Sequence, residues 1–245
     1  MTETQNVPEL WLMGIGKNPE RGDVVRGYLE EAGYRLRPAT PDMLEKEKPR
    51  GIIMDISPFS ADGWGTILQL KGDPATRQIP ILPVFLSETG KPGGIFPVSG
   101  FFLLPIDPEY VVKMLTVLGL TEETDTWDLQ AFIISRNGEE QLGKILQSLG
   151  FDLVKAYTGH EAVALTTTGA PYLAFCNMML PDMSAFELLE KLRLYPRTKN
   201  VPFFVLMKGE MKEGEKAAMS KQIEHLVRKK QLSKEEFLAH FRKRG

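Results

Sequence analysis

Asn177 closes an apolar run, LAFCN, and is followed by a proline-containing turn and then a segment whose apolar residues recur three and four apart. That pattern predicts a buried strand followed by a helix, with residue 177 at the strand end, where α/β domains place their chemistry. An amide in that position keeps the size and hydrogen-bonding capacity of a carboxylate. It has no charge to hold a divalent cation and is not a competent nucleophile. Asp55, which closes the comparable run GIIMD, does carry a carboxylate. Other candidate chemistry is sparse. His160, His225 and His240 fall in different segments and form no ligand pattern. The stretch GIGKNP, residues 14–19, lacks the Gly-Lys-Ser/Thr ending of a phosphate loop. There is no Cys/His metal spacing and no nucleophile elbow. The single cysteine, Cys176, sits in an apolar run, so it reads as core in a reducing compartment with no disulfide framework.

The elements that would position these residues repeat along the chain. Aligning Asp55 with Asn177 places Trp64 on Phe186 and Pro80 on Pro202, at offsets of 9 and 25 in both halves. Equal spacing through two loops marks an internal repeat of domain size. In each half, short β-branched or aromatic runs (LWLMGI, GIIMD, ILPVFL, GFFLLP; then QAFIIS, YLAFCN, PFFVLM, IEHLV) alternate with segments of helical period. Near-continuous apolar strands separated by helices predict parallel sheets covered on both faces. The expected architecture is therefore α/β, with two tandem doubly wound, flavodoxin-like five-stranded parallel sheets flanked by helices. The polar, acidic stretch GLTEETDTWD, residues 119–128, reads as the connector, which gives domains at 1–120 and 128–245 with a linker at 121–127.

With 245 residues and 42% hydrophobic content, the chain can bury two ordinary cores. Its first ten residues have neither a basic stretch nor an apolar one, and no run reaches the roughly 18 apolar residues of a membrane span. A soluble cytoplasmic protein without membrane association is expected. Net charge is only −2, which argues against a nucleic-acid footprint over the whole chain. The charge is uneven, however. The last 25 residues carry eight Lys/Arg against three Glu, which suits a solvated basic helix or a docking surface for an acidic partner.

The frame of strand, strand-end residue, MMLPDM, aromatic, ELLEKLR and NVPFFVLM resembles the receiver domain of bacterial response regulators. The first half carries the same frame in DISPFSADGWGTILQLKGDPATRQIP, and its LLPIDPEYV is similar to the family's closing Lys-Pro segment. The resemblance implies a phosphoryl-transfer site built from an acidic pair after the first strand, an acceptor Asp after the third, a Thr or Ser after the fourth and a Lys after the fifth. The acidic groups would hold Mg²⁺ while the metal and the Lys neutralise the transferring phosphoryl group.

Most of those groups are replaced. In the first half the positions fall on Gly16 and Lys17, Asp55, Phe85 (rather than the nearby Ser87) and Leu104; in the second they fall on Ser135 and Arg136, Asn177, Met207 and Lys230, with Arg228 and Lys229 as neighbours in register. Lys17 is a candidate partner for Asp55. The second helix of the first half, PDMLEKEK, reads as short, and TGKPGGIFPVSG, residues 89–100, reads as a loop in place of a fourth helix. The reading that follows is a tandem pseudo-receiver. This would be a non-enzymatic adaptor of two-component type, bacterial, part of or derived from a phosphorelay. It would act by phosphorylation-independent protein–protein interaction, with no cofactor and no bound metal. Its partners would be a histidine kinase or another signalling protein, and a homodimer is compatible with the family. Two alternatives stand beside it: atypical phosphorylation at Asp55, and a regulatory module that binds a small ligand or nucleic acid.

Overall fold

A computed structural model describes residues 7–16, 18–122, 129–137, 139–227 and 232–241. The described residues form two sheets, each within its own compact unit.

The first unit consists of Met1–Pro97 together with Met211–Gly245. Its sheet runs in the order β2 (Arg35–Pro38), β1 (Glu9–Met13), β3 (Ile52–Asp55), β4 (Ile81–Leu86) and β5 (Pro92–Ile95). The first four strands are parallel. The last departs from the all-parallel expectation and runs antiparallel to β4, with Val84 opposite Ile95 and Phe85 opposite Gly94. A five-residue turn joins the two, and Gly90 within it has φ +81°. That conformation costs glycine little, and closing so short a hairpin costs little chain entropy. Pro92 cannot donate a ladder hydrogen bond, which suits an edge strand. Helices α1 (Asp23–Glu31) and α2 (Gly63–Gly72) follow β1 and β3, while the second helix expected between β2 and β3 is a single 3-10 segment, Pro41–Glu45.

The second unit is the continuous stretch Val98–Glu210. It contains β6 (Gly100–Leu104), α3 (Pro108–Val117), β7 (Gln130–Ile134), α4 (Glu140–Ser148), β8 (Asp152–Ala156), α5 (Gly159–Leu165), β9 (Leu173–Asn177), α6 (Ala185–Arg193) and β10 (Phe203–Lys208). All pairings are parallel, and the sheet order is β8, β7, β9, β10, β6. The strand that comes first in the chain therefore takes the fifth place in the sheet.

This arrangement corrects the expected boundaries of 1–120 and 128–245. The run GFFLLP does form a strand, but it pairs with β10 from Phe204↔Gly100 to Lys208↔Leu104. The reason lies in β4, whose outer edge is already occupied by the local hairpin partner β5. The run IEHLV, expected as a strand, is helical and lies within α7 (Glu213–Val227). Both α7 and α8 (Lys234–Ala239) belong to the first unit. There Phe237 and Leu238 of α8 join the core formed by Leu12, Val25, Leu29 and Leu36. Ser233 starts α8 with a complete capping box to Glu236. Most of the linker expected at 121–127, residues 123–127, lies outside the described residues.

Similar hydrogen bonds nevertheless recur at a spacing of 122 residues. Lys71 Nζ donates to the carbonyls of Arg77 at 2.9 Å and Ile79 at 2.7 Å, while Arg193 Nη1, 122 positions on, donates to the Lys199 carbonyl at 2.5 Å. Thr76 and Thr198 donate their hydroxyls to the Leu70 and Leu192 carbonyls at 2.8 and 2.6 Å.

Candidate functional site

In both units the middle strand of the sheet ends at the place singled out from sequence, and the two sites differ in chemistry. In the first, β3 delivers Asp55 to the strand end with none of its surface exposed. Asp55 Oδ2 accepts from Arg21 Nη2 at 2.7 Å and from the Ser57 hydroxyl at 3.1 Å. Oδ1 accepts from the backbone amides of Ser57 at 3.0 Å and Leu86 at 3.2 Å. Arg21 comes from a 3-10 turn, Pro19–Gly22, whose start is set by Asn18 accepting the Glu20 amide. Its guanidinium also donates to the carbonyls of Phe59 at 2.9 Å and Leu86 at 3.2 Å, and it lies over the Phe59 ring. Burial pushes the Asp55 carboxyl above the ordinary carboxylate range, and Arg21, Ser57 and the Leu86 amide pull it back. Both oxygens of this carboxylate are therefore engaged, each by two donors.

The other residues expected at this site are placed differently. The register of β1 on β3 sets Met13 beside Met54, so Gly14 follows as the neighbour of Asp55, two positions before the expected Gly16. A Cβ on Gly14 would lie 2.7 Å from the Asp55 carbonyl, so no side chain fits there. Gly16 instead faces Ala61. Lys17 lies outside the described residues. Phe85 is buried on β4, one residue beyond the partner of Asp55. Leu104 is not part of this site, because β6 belongs to the second sheet.

In the second unit, Asn177 Nδ2 donates to the Ser135 hydroxyl at 2.7 Å and to Glu139 Oε1 at 3.3 Å, and the Ser135 hydroxyl donates to the same Glu139 oxygen at 2.9 Å. Ser135 is buried and also accepts the Asn137 amide. Glu139 adopts a left-handed backbone, φ 39° and ψ 63°, as it leads into α4. Asn177 Oδ1 is buried and accepts no hydrogen bond among the described residues. Arg136 is exposed, Met207 is buried on β10, and Lys230 lies outside the described residues. The fifth-strand position of this sheet is taken by Leu104, which pairs with Lys208, so no lysine stands there. No group of three or more His, Cys, Asp or Glu able to hold a metal ion occurs among the described residues.

Two residues of these candidate sites were not legible beforehand. Arg21 sits eight residues past Met13, the end of β1, and its only sequence signal is a basic residue in a Pro-containing turn. Glu139 looks like an ordinary first-turn acid of a helix.

Both sheets follow the 2-1-3-4-5 order of flavodoxin-like domains, with the site at the carboxyl ends of the strands where that order reverses. The units are thus flavodoxin-like in strand order, the first with an antiparallel fifth strand and the second with its fifth strand placed first in the chain. No protein-family model and no curated protein matches the chain. Among solved structures it is similar to the signal receiver domain of a signal transduction histidine kinase from Syntrophus aciditrophicus, at 17% identity over 42% of this chain and 96% of that one, with a TM-score of 0.30. It is also similar to the receiver domain of a sensor histidine kinase from Pseudomonas aeruginosa, described with a magnesium ion in its active-site cleft, at 12% identity over 41% and 98%, TM-score 0.31. A third is the C-terminus of RcsC from E. coli, containing a linker region and phosphoreceiver domain, at 10% identity over 89% and 94%, TM-score 0.28. The fold class rests on the strand order rather than on these likenesses. No helix among the described residues is long and apolar enough to cross a membrane.

Proposed function

We propose that this chain is a tandem pseudo-receiver, a non-catalytic adaptor of two-component signalling that works by binding other signalling proteins, a histidine kinase among them, independently of phosphorylation. The observation that carries the reading is the Arg21–Asp55 pair. The Arg21 guanidinium stands against the carboxylate at 2.7 Å and both carboxylate oxygens accept hydrogen bonds, which supports a site that does not take up a cation or a phosphoryl group. In the second unit the acceptor position is an amide held by Ser135 and Glu139. Neither arrangement supports attack on phosphorus, so the reading includes no enzymatic step and no cofactor. A cytoplasmic location belongs to the same reading, in keeping with a lone buried thiol at Cys176.

The test is incubation with acetyl phosphate, or with beryllofluoride, in the presence of Mg²⁺, read by intact mass and intrinsic tryptophan fluorescence. No mass gain and no fluorescence change are expected. A stoichiometric mass gain that vanishes in Asp55→Asn would overturn the reading and assign Asp55 as a phospho-acceptor.

A further inference from the structure

The internal repeat supplies its own control for one surface feature of the second unit. The turn after α2 in the first unit, KGDPATRQIP, and the turn after α6 in the second, RLYPRTKNVP, are closed by the same pair of backbone hydrogen bonds. Thr76 and Arg77 amides bond the Asp73 carbonyl at 3.0 and 2.8 Å; Thr198 and Lys199 amides bond the Tyr195 carbonyl at 3.1 and 2.9 Å. The residues at the tip differ. Where the first unit has Gly72 and Asp73, both exposed, the second has Leu194 at 79% exposure and Tyr195 at 51%. Asp73 also accepts the Ala75 amide at 2.8 Å, a side-chain cap that Tyr195 has no group to make. The second copy of the turn therefore gives up a local hydrogen bond to present two large apolar side chains to water. Turn geometry does not require them, since the first copy is built without them.

Tyr195 also lines a groove of about 370 Å³ between the end of α5 and this turn, with Val163, Thr166, Thr167, Pro196 and Arg197. The turn itself carries charge of one sign, although Lys191 at its start pairs with Glu187 of α6 at 3.5 Å. Residues 191–200 hold Lys191, Arg193, Arg197 and Lys199 and no acid, whereas the corresponding 69–78 of the first unit hold Lys71, Arg77 and the acidic Asp73. Arg197 and Lys199 are exposed. We propose that the Leu194–Tyr195 turn and its groove are a docking site for an acidic segment of a partner protein carrying a large apolar side chain. The apolar anchor would cover Leu194 and Tyr195 and enter the groove, while flanking carboxylates meet Arg197 and Lys199. The inference rests on the adaptor reading above only in that the occupant is a protein, and it gives that reading a surface away from the strand-end sites.

Selection of random dodecapeptides displayed on phage against the immobilised full chain tests this directly. The enriched sequences should be acidic with one aromatic residue or leucine. A synthetic, fluorescently labelled copy of the most enriched peptide should bind the full chain with an affinity that falls as salt is raised. The double variant Leu194→Gly with Tyr195→Asp restores the tip of the first unit, so it should fold normally by circular dichroism while weakening the peptide by about tenfold or more. Arg197→Glu with Lys199→Glu should weaken it as well and flatten the salt dependence. The proposal fails if no peptide is enriched, if enriched peptides lack an acidic bias, or if they bind the Gly–Asp variant as well as the parent chain. It also fails if a labelled single-stranded oligonucleotide binds the same arginine and lysine but ignores the loss of Leu194 and Tyr195, which would make the patch a nucleic-acid contact. None of these outcomes depends on whether Asp55 accepts phosphate, so this proposal and the adaptor reading fail separately.

Discussion

Arg21 and Asp55, 34 residues apart in sequence, meet at 2.7 Å with the carboxylate fully buried. The pair ties the turn after β1 to the ends of β3 and β4, because the same guanidinium reaches Phe59 and Leu86. Removing one partner of a buried ion pair leaves an uncompensated charge, which costs about 3–5 kcal/mol. Arg21→Met is therefore expected to lower the stability of the first unit by that amount at pH 7 in urea titration. The loss should shrink on acidification, as Asp55 takes up a proton and no longer needs a cation. A loss that stays constant from pH 7 to pH 4.5 would show that the guanidinium contributes by packing rather than by charge.

Asn177 and Glu139 form the corresponding relationship in the second unit. Asn177→Asp replaces a donor with an oxygen facing Glu139 Oε1, 3.3 Å from the present nitrogen. Two ionised carboxylates at that distance repel, and one hydrogen bond is lost, so a destabilisation of about 1–3 kcal/mol is expected at pH 7. Thermal unfolding at pH 7 and pH 4.5 checks it, with the variant approaching the parent chain at the lower pH. Asn177→Ala, which cannot repel, should show a loss with no such pH dependence.

Lys71 predicts the opposite pH trend. Burial pushes its ammonium down to about 8 from an ordinary 10.5, even with two carbonyls accepting from it. Between those values the unfolded chain is protonated at this residue and the folded chain is not, so the unfolded state binds more protons. Stability contributed through this group therefore rises as pH increases from about 8 towards 10.5, by up to about 3 kcal/mol. Below pH 8 the folded state carries the cost of a buried charge. Urea titrations across this range should show the rise in the parent chain and a flattened profile in Lys71→Met.

The chain path gives a fragment test. All five strands of the second sheet lie in 98–210, and none of them comes from 211–245. That segment expressed alone should unfold cooperatively, whereas 128–245 lacks β6 and leaves one edge of β10 unpaired. Phe237 belongs to the second sequence repeat yet fills the core of the first unit. Phe237→Ala should cost about 3–5 kcal/mol there. Hydrogen exchange should accordingly show faster opening of amides in β1 and α1, with those in β7 and β9 unchanged. Faster exchange confined to β7 and β9 would contradict the observed chain path.

Much of this molecule was legible in the linear order of residues. The strands IIMD and LAFCN, the helices beginning at Gly63 and Ala185, and the repeat joining Asp55 to Asn177 follow from local apolar periodicity. Such periodicity reports which face of an element is buried. So does the absence of most groups that receiver chemistry needs, since a side chain's type is a property of the sequence alone. Tertiary structure decided which edge each strand joins and which distant side chain meets a buried charge. GFFLLP has the composition of a fifth strand wherever it pairs; β5 occupies the free edge of β4, and GFFLLP pairs with β10. IEHLV is apolar enough for a strand, but in α7 it continues a helix that buries Met219, Ile223 and Val227 four residues apart on one face. Arg21 was not foreseen as the partner of Asp55, because the choice between it and Lys17 depends on the path of one turn after β1. Pattern determines which surfaces must be covered, and only the three-dimensional competition among edges and partners determines what covers them.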